Sequence, residues 1–365
     1  MTRVWMPCGD YHQTYAEDQG WWQTNFIKGK MILLLVTVFV LFPLFLSGYW
    51  LSVANMIGYT ALGALGVQLL IGYAGLITLG HAAFIAVGAY TSTVLILYFP
   101  WPQFLVSWGL AYPISIIIAA IVAGLWSVLF GLPSARVKGF YLILTTMAAQ
   151  FITVDFLLTQ YVSQIGGRGQ AFSLPAGTIK IGPWTIDSDR EIYFLMIILL
   201  VLMIIVTGNL LRSRVGRAWV AIRDNDVAAE TLGINIVWYK LLNFFVAGFI
   251  GGIAGAFWVS NCAALSPEHF PWFWSLWLVG VILIGGAGID GVIFGSIFMV
   301  LVMELIQIGV IALSSFYPEL SMKFLYIKES VFGLAICAFL IYEPRGISYR
   351  WWQIKNYFNL WPFSY

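Results

Sequence analysis

Charge is what this chain has least of. Of its 365 residues 9% are Asp, Glu, Lys or Arg, where a water-soluble domain carries about a quarter. That deficit excludes an ordinary soluble fold, and the 61% of hydrophobic residues excludes intrinsic disorder. Cysteine is scarce too. Cys8, Cys262 and Cys337 have neither a metal-ligand spacing nor that of a disulfide framework, and read as buried, inert thiols. His81 has no metal-ligand partner at a useful spacing, so no metal is expected. Paired carboxylates, or a nucleophile beside a base, are missing as well, which weakens any reading as a membrane enzyme. The first thirty residues lack the short apolar stretch and cleavage site of a signal peptide, so they are expected to be retained. Their tryptophans Trp5, Trp21 and Trp22, ahead of Lys28 and Lys30, suit a segment lying at the headgroup level.

What fills the sequence is apolar runs, at 31–49, 51–71, 81–99, 104–131, 139–160, 192–211, 241–262, 272–287, 291–313 and 329–343. Each approaches the roughly 20 residues that a helix needs to cross a bilayer, and the short alternating segments of a barrel do not dominate. The expected fold is an all-α polytopic bundle of about 10 spans. The run 272–287 and the glycine-rich stretch 72–80 leave open a broken or re-entrant helix.

The few charges fix the parity of the spans. With a cytoplasmic N-terminus, ten crossings place Arg3, Lys28, Lys30, Arg136, Lys138, Arg212, Arg214, Arg217, Arg223, Lys240, Arg345, Arg350 and Lys355 on one side. The other side receives Arg168, Lys180, Arg190, Lys323 and Lys328, offset by Asp187, Asp189, Glu191, Glu319 and Glu329. This is the positive-inside pattern, and one span more or fewer destroys it. The division is then an interfacial extension 1–30, a membrane domain 31–343 and a cytoplasmic tail 344–365, with both termini inside.

Two polar segments interrupt the domain. The outer one, 161–191, carries Gly166, Gly167, Gly169, Pro175, Gly177, Gly182 and Pro183, and reads as turns with a short hairpin, either a covering loop or a binding surface. In the inner one, 212–240, Asn225 or Asp226 can cap a helix over 227–232 that stops at Gly233. Val227, Ala228, Thr231 and Leu232 then lie close together, with Glu230 on another side. Such a helix enters a groove on a second protein, or rests on lipid headgroups.

Glycines at 72, 75, 80 and 88 break a span and free backbone groups, which a zwitterionic solute can use if they line a water-filled path; the alternative is a small-residue packing seam. The later glycines at 285–295 pose the same choice, with packing favoured. His81 is either a solute contact or a hydrogen-bonded structural residue at a helix end. Glu304, ionisable in mid-span, requires a partner or a function, and Asp155 lies near a span end. Trp272, Phe273, Trp274 and Trp277 fit an aromatic belt or a subunit contact better than a solute cage.

The stretch from Gly216-Arg217 through Arg223-Asp224, Asp226 and Glu230 to Gly233-Ile234 resembles the coupling loop of ATP-binding-cassette importer permeases, in the branched-chain amino acid subfamily. Gly72-Tyr73-Ala74-Gly75, Thr78, Gly80-His81-Ala82-Ala83-Phe84 and Gly88-Ala89-Tyr90 are similar to that family's early glycine-rich element. Gly285-Gly286, Gly288, Asp290-Gly291 and Gly295 are similar to its late one. The resemblance implies an M-type permease subunit with a type II-like fold in a bacterial inner membrane. It would pair with a second homologous permease, two ATPase subunits, a periplasmic substrate-binding protein and membrane lipid, with no role for nucleic acid. This chain has no phosphate-loop motif, in keeping with ATP and Mg being bound by the partner ATPases, and it needs no cofactor of its own. The resemblance assigns ATPase coupling to Arg217, Arg223, Asp224, Asp226, Ala229, Glu230 and Gly233. Candidates for the translocation path are Gly72, Tyr73, Gly75, Thr78, Gly80, His81 and Glu304. The substrate class it implies is branched-chain or other hydrophobic amino acids, with urea, amides or aromatic acids as alternatives. A proton-coupled secondary transporter is the rival mechanism.

Overall fold

The computed structural model describes residues 25–135, 139–162, 172–173, 179–182, 184–186, 188–262, 264–314 and 323–360. The tryptophan-rich part of the N-terminal extension, Cys8, Arg136, Lys138 and the glycine cluster at 166–169 lie outside these residues.

Helix α1, Asn25–Val36, continues through a widened turn, Thr37–Leu41, into Phe42–Phe45. Pro43 has no N–H to give to Phe39, and the ladder widens just before it. Helix α2, Gly48–Gln68, likewise ends in a widened turn, Leu69–Tyr73. There follow α3 (His81–Tyr98), α4 (Ala111–Gly131) and α5, which runs from Phe140–Gln150 into the widened segment Phe151–Val162. Next come α6 (Asp189–Arg212), the short pair α7 (Arg214–Asp224) and α8 (Asp226–Thr231), and the long α9 (Ile236–Cys262). The last are α10 (Trp272–Gly285), α11 (Ile289–Ser314), α12 (Phe324–Tyr342) and α13 (Gly346–Leu360). Among the described residues 9 helices are long and apolar enough to cross a membrane, and the pair α12 and α13, bent by 45°, makes a tenth if taken as one span.

The fourth run begins later than expected. Gln103–Ser107 is a separate short helix, and the chain turns at Gly109 (φ 63°) before α4 starts at Ala111. The run 272–287 is a regular helix as far as Gly285, and 74–80 is a true non-helical break. Among the described residues there are also four two-residue strands: β1 (Phe172–Ser173) pairs with β4 (Ala264–Leu265), and β2 (Lys180–Ile181) with β3 (Trp184–Thr185).

Lipid is as apolar as leucine, so helices in a membrane associate through close packing and hydrogen bonds. The buried centre is α2, α3 and α9 with α4 along them; 78% of the α2 span is buried and 72% of α9, against 22% for α11 and 6% for the first span. Glycine makes the central crossings. Gly88 of α3 lies against the Gly252 backbone of α9, Gly252 against Ala119, Ala120 and Ala123 of α4, and Gly255 against Ile85 and Ala89. Ser127 Oγ donates to the Phe244 carbonyl at 2.6 Å across the α4–α9 seam.

The connections sort to two ends. Residues 72–76, 139, 222–226 and 240 gather at one end, where Gly286 also meets Arg345 and Gly346. At the other, Gly182 N–H donates to the Gly109 carbonyl and β1 pairs with β4. The first end holds the basic loop 212–240. Helix α1 stays at the edge, pinned by the Tyr193 hydroxyl on the Val38 carbonyl (2.9 Å) and by Lys30 over the Trp351 ring of α13 (4.8 Å).

Candidate functional site

The break after α2 is where the chemistry concentrates. A helix end leaves carbonyls without partners, and the widened turn Leu69–Tyr73 displaces them further. Gly75 adopts φ 68°, the left-handed conformation that lets a chain leave a helix, and Leu76 N–H returns to the Leu70 carbonyl at 2.8 Å. The remaining groups are satisfied from other helices. Asn243 of α9 donates to the Leu69 carbonyl at 2.9 Å, and Arg223 of α7 donates through Nη1 to the Gly72 carbonyl at 2.6 Å. Thr146 of α5 accepts from Leu79 N–H at 3.1 Å. Gly80 gives α3 no capping side chain, and Ser275 of α10 supplies one, accepting from Ala82 N–H at 2.9 Å.

The late glycine element joins the same place. Tyr73 lies near the Ile289 backbone and near both Asp290 and Arg223. Gly285, Gly291 and Gly295 are packed backbone to backbone between α10 and α11, the packing seam favoured from the sequence. A cleft of about 350 Å³ opens beside the break, lined by Gly75, Leu142, Arg223, Asp226 and Lys240 among others.

Helices α7 and α8 form the outer lip of this cleft. Ser213 begins α7, its Oγ accepting from Val215 N–H at 3.1 Å. Gly216, Ala218, Trp219 and Ile222 face inward, and Trp219, fully buried, donates to the Tyr239 carbonyl at 2.8 Å. Arg217 Nη1 caps the end of α6 at the Arg212 carbonyl, 2.9 Å away. Asn225 caps α8 through Ala228 N–H (3.1 Å), and Gly233 closes it at φ 83°. Val227 (64%), Leu232 (80%) and Glu230 are exposed. Ala229 is 1% exposed and turned into the protein, so this member of the expected coupling set is no surface contact. Arg223, its side chain 39% exposed, also reaches inward: Asp224 Oδ1 holds its Nε and Nη2 at 3.4 and 3.3 Å while Nη1 donates to the Gly72 carbonyl at the break.

The path candidates do not form one group. Gly72, Tyr73, Gly75, Thr78 and Gly80 belong to the break, with Thr78 fully buried. His81 is 0% exposed and wedged between helices; a Cβ on Gly66 would lie 2.7 Å from Nε2 and one on Gly251 3.1 Å. Neither ring nitrogen has a hydrogen-bond partner among the described residues, so the hydrogen-bonded reading gives way to a packed ring. Glu304 lies far from the break and accepts from the Tyr49 hydroxyl at 2.7 Å near the start of α2. Asp155 is exposed, and Cys337, expected to be buried, is exposed on α12. Trp274 packs on Tyr59, Trp258 and Phe270, and Trp277 stacks on Phe332. Asn243, Thr146 and Ser275 were not expected. Asn243 alone had a signal, as a lone amide between Leu242 and Phe244 in an apolar run.

Three separate sequence stretches, at 72–88, 216–234 and 285–295, thus meet at one end of the bundle. The profile of the family described as "Branched-chain amino acid transport system / permease component" matches residues 49–337, spanning all three. The chain belongs to this family. It is a transport component, not an enzyme. It is similar to the high-affinity branched-chain amino acid transport system permease protein LivM of Salmonella typhimurium, 28% identical over 88% of this chain and 75% of the relative. The LivM protein of Escherichia coli is 29% identical with the same coverage. A probable branched-chain amino acid transport permease protein LivM of Methanocaldococcus jannaschii is 25% identical over 64% of this chain and 67% of its own. No solved structure matches. The family match starts at Tyr49, so α1 and the extension before it are outside the shared region.

Proposed function

We propose that this chain is the membrane subunit of an ATP-driven importer for branched-chain amino acids, working beside a second permease. In this reading two ATPase subunits bind ATP and Mg, and a periplasmic protein delivers the solute. The basic end, with Lys28, Lys30, Arg212 to Arg223 and Arg345 to Lys355, faces the cytoplasm of a bacterial inner membrane, as the positive-inside rule requires. Branched-chain amino acids are preferred to urea, amides or aromatic acids because the similar curated proteins carry that substrate in their names. Proton coupling is disfavoured: His81 is sealed between glycine faces, and Glu304 is engaged by Tyr49 away from the break.

The observation that carries the proposal is the lip formed by α7 and α8. It presents Val227, Glu230 and Leu232 outward while its root, Trp219, is locked into the bundle and its inner edge touches the break at 72–76. A groove on the ATPase would take the apolar pair, and Glu230 would set register. Glu230→Arg is expected to leave folding and assembly intact and to lower solute uptake per ATP hydrolysed by about tenfold or more, because a like or misplaced charge at a docked surface costs several kcal/mol. Uptake into sealed vesicles together with phosphate release measures this. Wild-type coupling in the assembled variant would remove α8 from the ATPase contact.

A further inference from the structure

We infer that Arg223 is a cap supplied in trans, a positioning residue whose hold on the Gly72 carbonyl keeps the broken end of α2 closed and whose withdrawal opens it. The inference rests on the reading that α7 and α8 face the ATPases.

The geometry makes the contact specific. Helix α2 ends in a widened turn, and Gly72 presents its carbonyl to Arg223 rather than to a following turn of helix. A cation suits this place because the C-terminal end of a helix carries partial negative charge. Asp224 grips the guanidinium on its other two nitrogens, which fixes the direction of Nη1. Gly75 completes the seat: a Cβ there would come within 3.0 Å of Arg223 Cγ, and φ 68° disfavours one in any case. Arg223 is also the last but one residue of α7, two residues before the Asn225 cap of α8. Movement of α8 therefore reaches this guanidinium through the Asp224 that grips it.

Two further features bear on what release would do. The Tyr73 hydroxyl, one residue beyond Gly72, lies close enough to the Ile289 backbone and to Asp290, at the start of α11, to feel both electrostatically. Thr78, fully buried inside the break, has a hydroxyl without a partner among the described residues. Drawing Arg223 back frees the end of α2 at Gly72. That end lies next to Tyr73, which faces the late glycine element, and in the break that holds the buried Thr78, whose exposure therefore reports the opening.

The test uses the assembled transporter in sealed vesicles, with Arg223→Gln, Arg223→Lys and Gly75→Ala. Uptake per ATP is expected to fall about tenfold or more in R223Q, the loss that one charge-assisted hydrogen bond carries, while hydrolysis continues. R223K, which keeps a donor, is expected to recover part of the loss. G75A, pressing on Arg223 from the opposite side, should resemble R223Q, and it decides the matter should R223Q not assemble. A second readout places a cysteine at position 78 (Thr78→Cys) in a chain whose three native cysteines are serine. Labelling by an impermeant thiol reagent from the α7 side, without ATP, should be slow with Arg223 present and fast in R223Q. Unchanged uptake per ATP with equal labelling overturns the inference, and so does a proportional fall of uptake and hydrolysis. Copurification separates the two levels. Failure of wild-type chains to bring down ATPase subunits refutes the proposed ATP-driven assembly, whereas assembled variants with intact coupling refute only the role of Arg223.

Discussion

His81 illustrates how a single residue changes meaning with its surroundings. A histidine beside a glycine-rich break invites a role in solute contact or proton transfer. Its ring instead fills the space that Gly66 and Gly251 leave vacant, edge-on to Phe84 at 5.8 Å between ring centroids. With both nitrogens unpartnered among the described residues, the imidazole contributes volume and little polar bonding. His81→Leu is therefore expected to alter stability by less than about 1.5 kcal/mol, the usual range for a volume-conserving core exchange, and to leave uptake intact. Thermal unfolding in detergent and vesicle uptake check both halves. Lost uptake in a stable variant would return His81 to the path. Arg223 makes the complementary point: as a charged loop residue it carries no local signal of direction, and the partner that turns it inward is 151 residues away.

At the level of elements, some structure could be read from the sequence because its cause is local. Asn225, Gly233 and the span between them specify α8 within nine residues, and the structure reproduces cap and stop. Asn225→Ala removes the side-chain acceptor of Ala228 N–H and should cost about 1 kcal/mol of local helix stability, seen as faster amide exchange over 226–231 with no change in the spanning helices. The break at 72–80 was visible through its glycines, but its closure was not. Thr146 accepts a backbone N–H from the break itself, and Ser275 caps a helix other than its own. Nothing local marks such a role, because Ser and Thr in apolar helices ordinarily bond back to their own preceding turn. The short lead-in before α4 was missed for a related reason. Residues 103–107 are as apolar as a span, and only Gly109 with its positive φ interrupts them.

The whole molecule follows a charge rule laid over an apolar scaffold. In the proposed topology of ten crossings, α7, α8 and the end of α13 lie on one side and the β2–β3 hairpin on the other. Single cysteines at Arg214 and Lys355 are thus expected to react with an impermeant reagent only from the cytoplasmic side, and one at Trp184 only from outside; protection of positions 214 and 355 on opposite faces would break the ten-span topology. All three stretches that identify the family lie on the α7 side or in the helices leading to it, which is why distant motifs could be found separately yet their meeting point could not.

The attachment of α1 has a consequence for how the chain is made. Tyr193 and Trp351, which pin this helix, are synthesised far later than the helix itself. It must therefore enter the bilayer and wait there as a lone helix, and its almost wholly apolar outer surface, with Leu33, Leu44 and Phe45 all exposed, suits it to do so. Only when α13 emerges can Lys30 find Trp351. A late helix would then lock an early one in place, so that docking of α1 reports that α13 has been made.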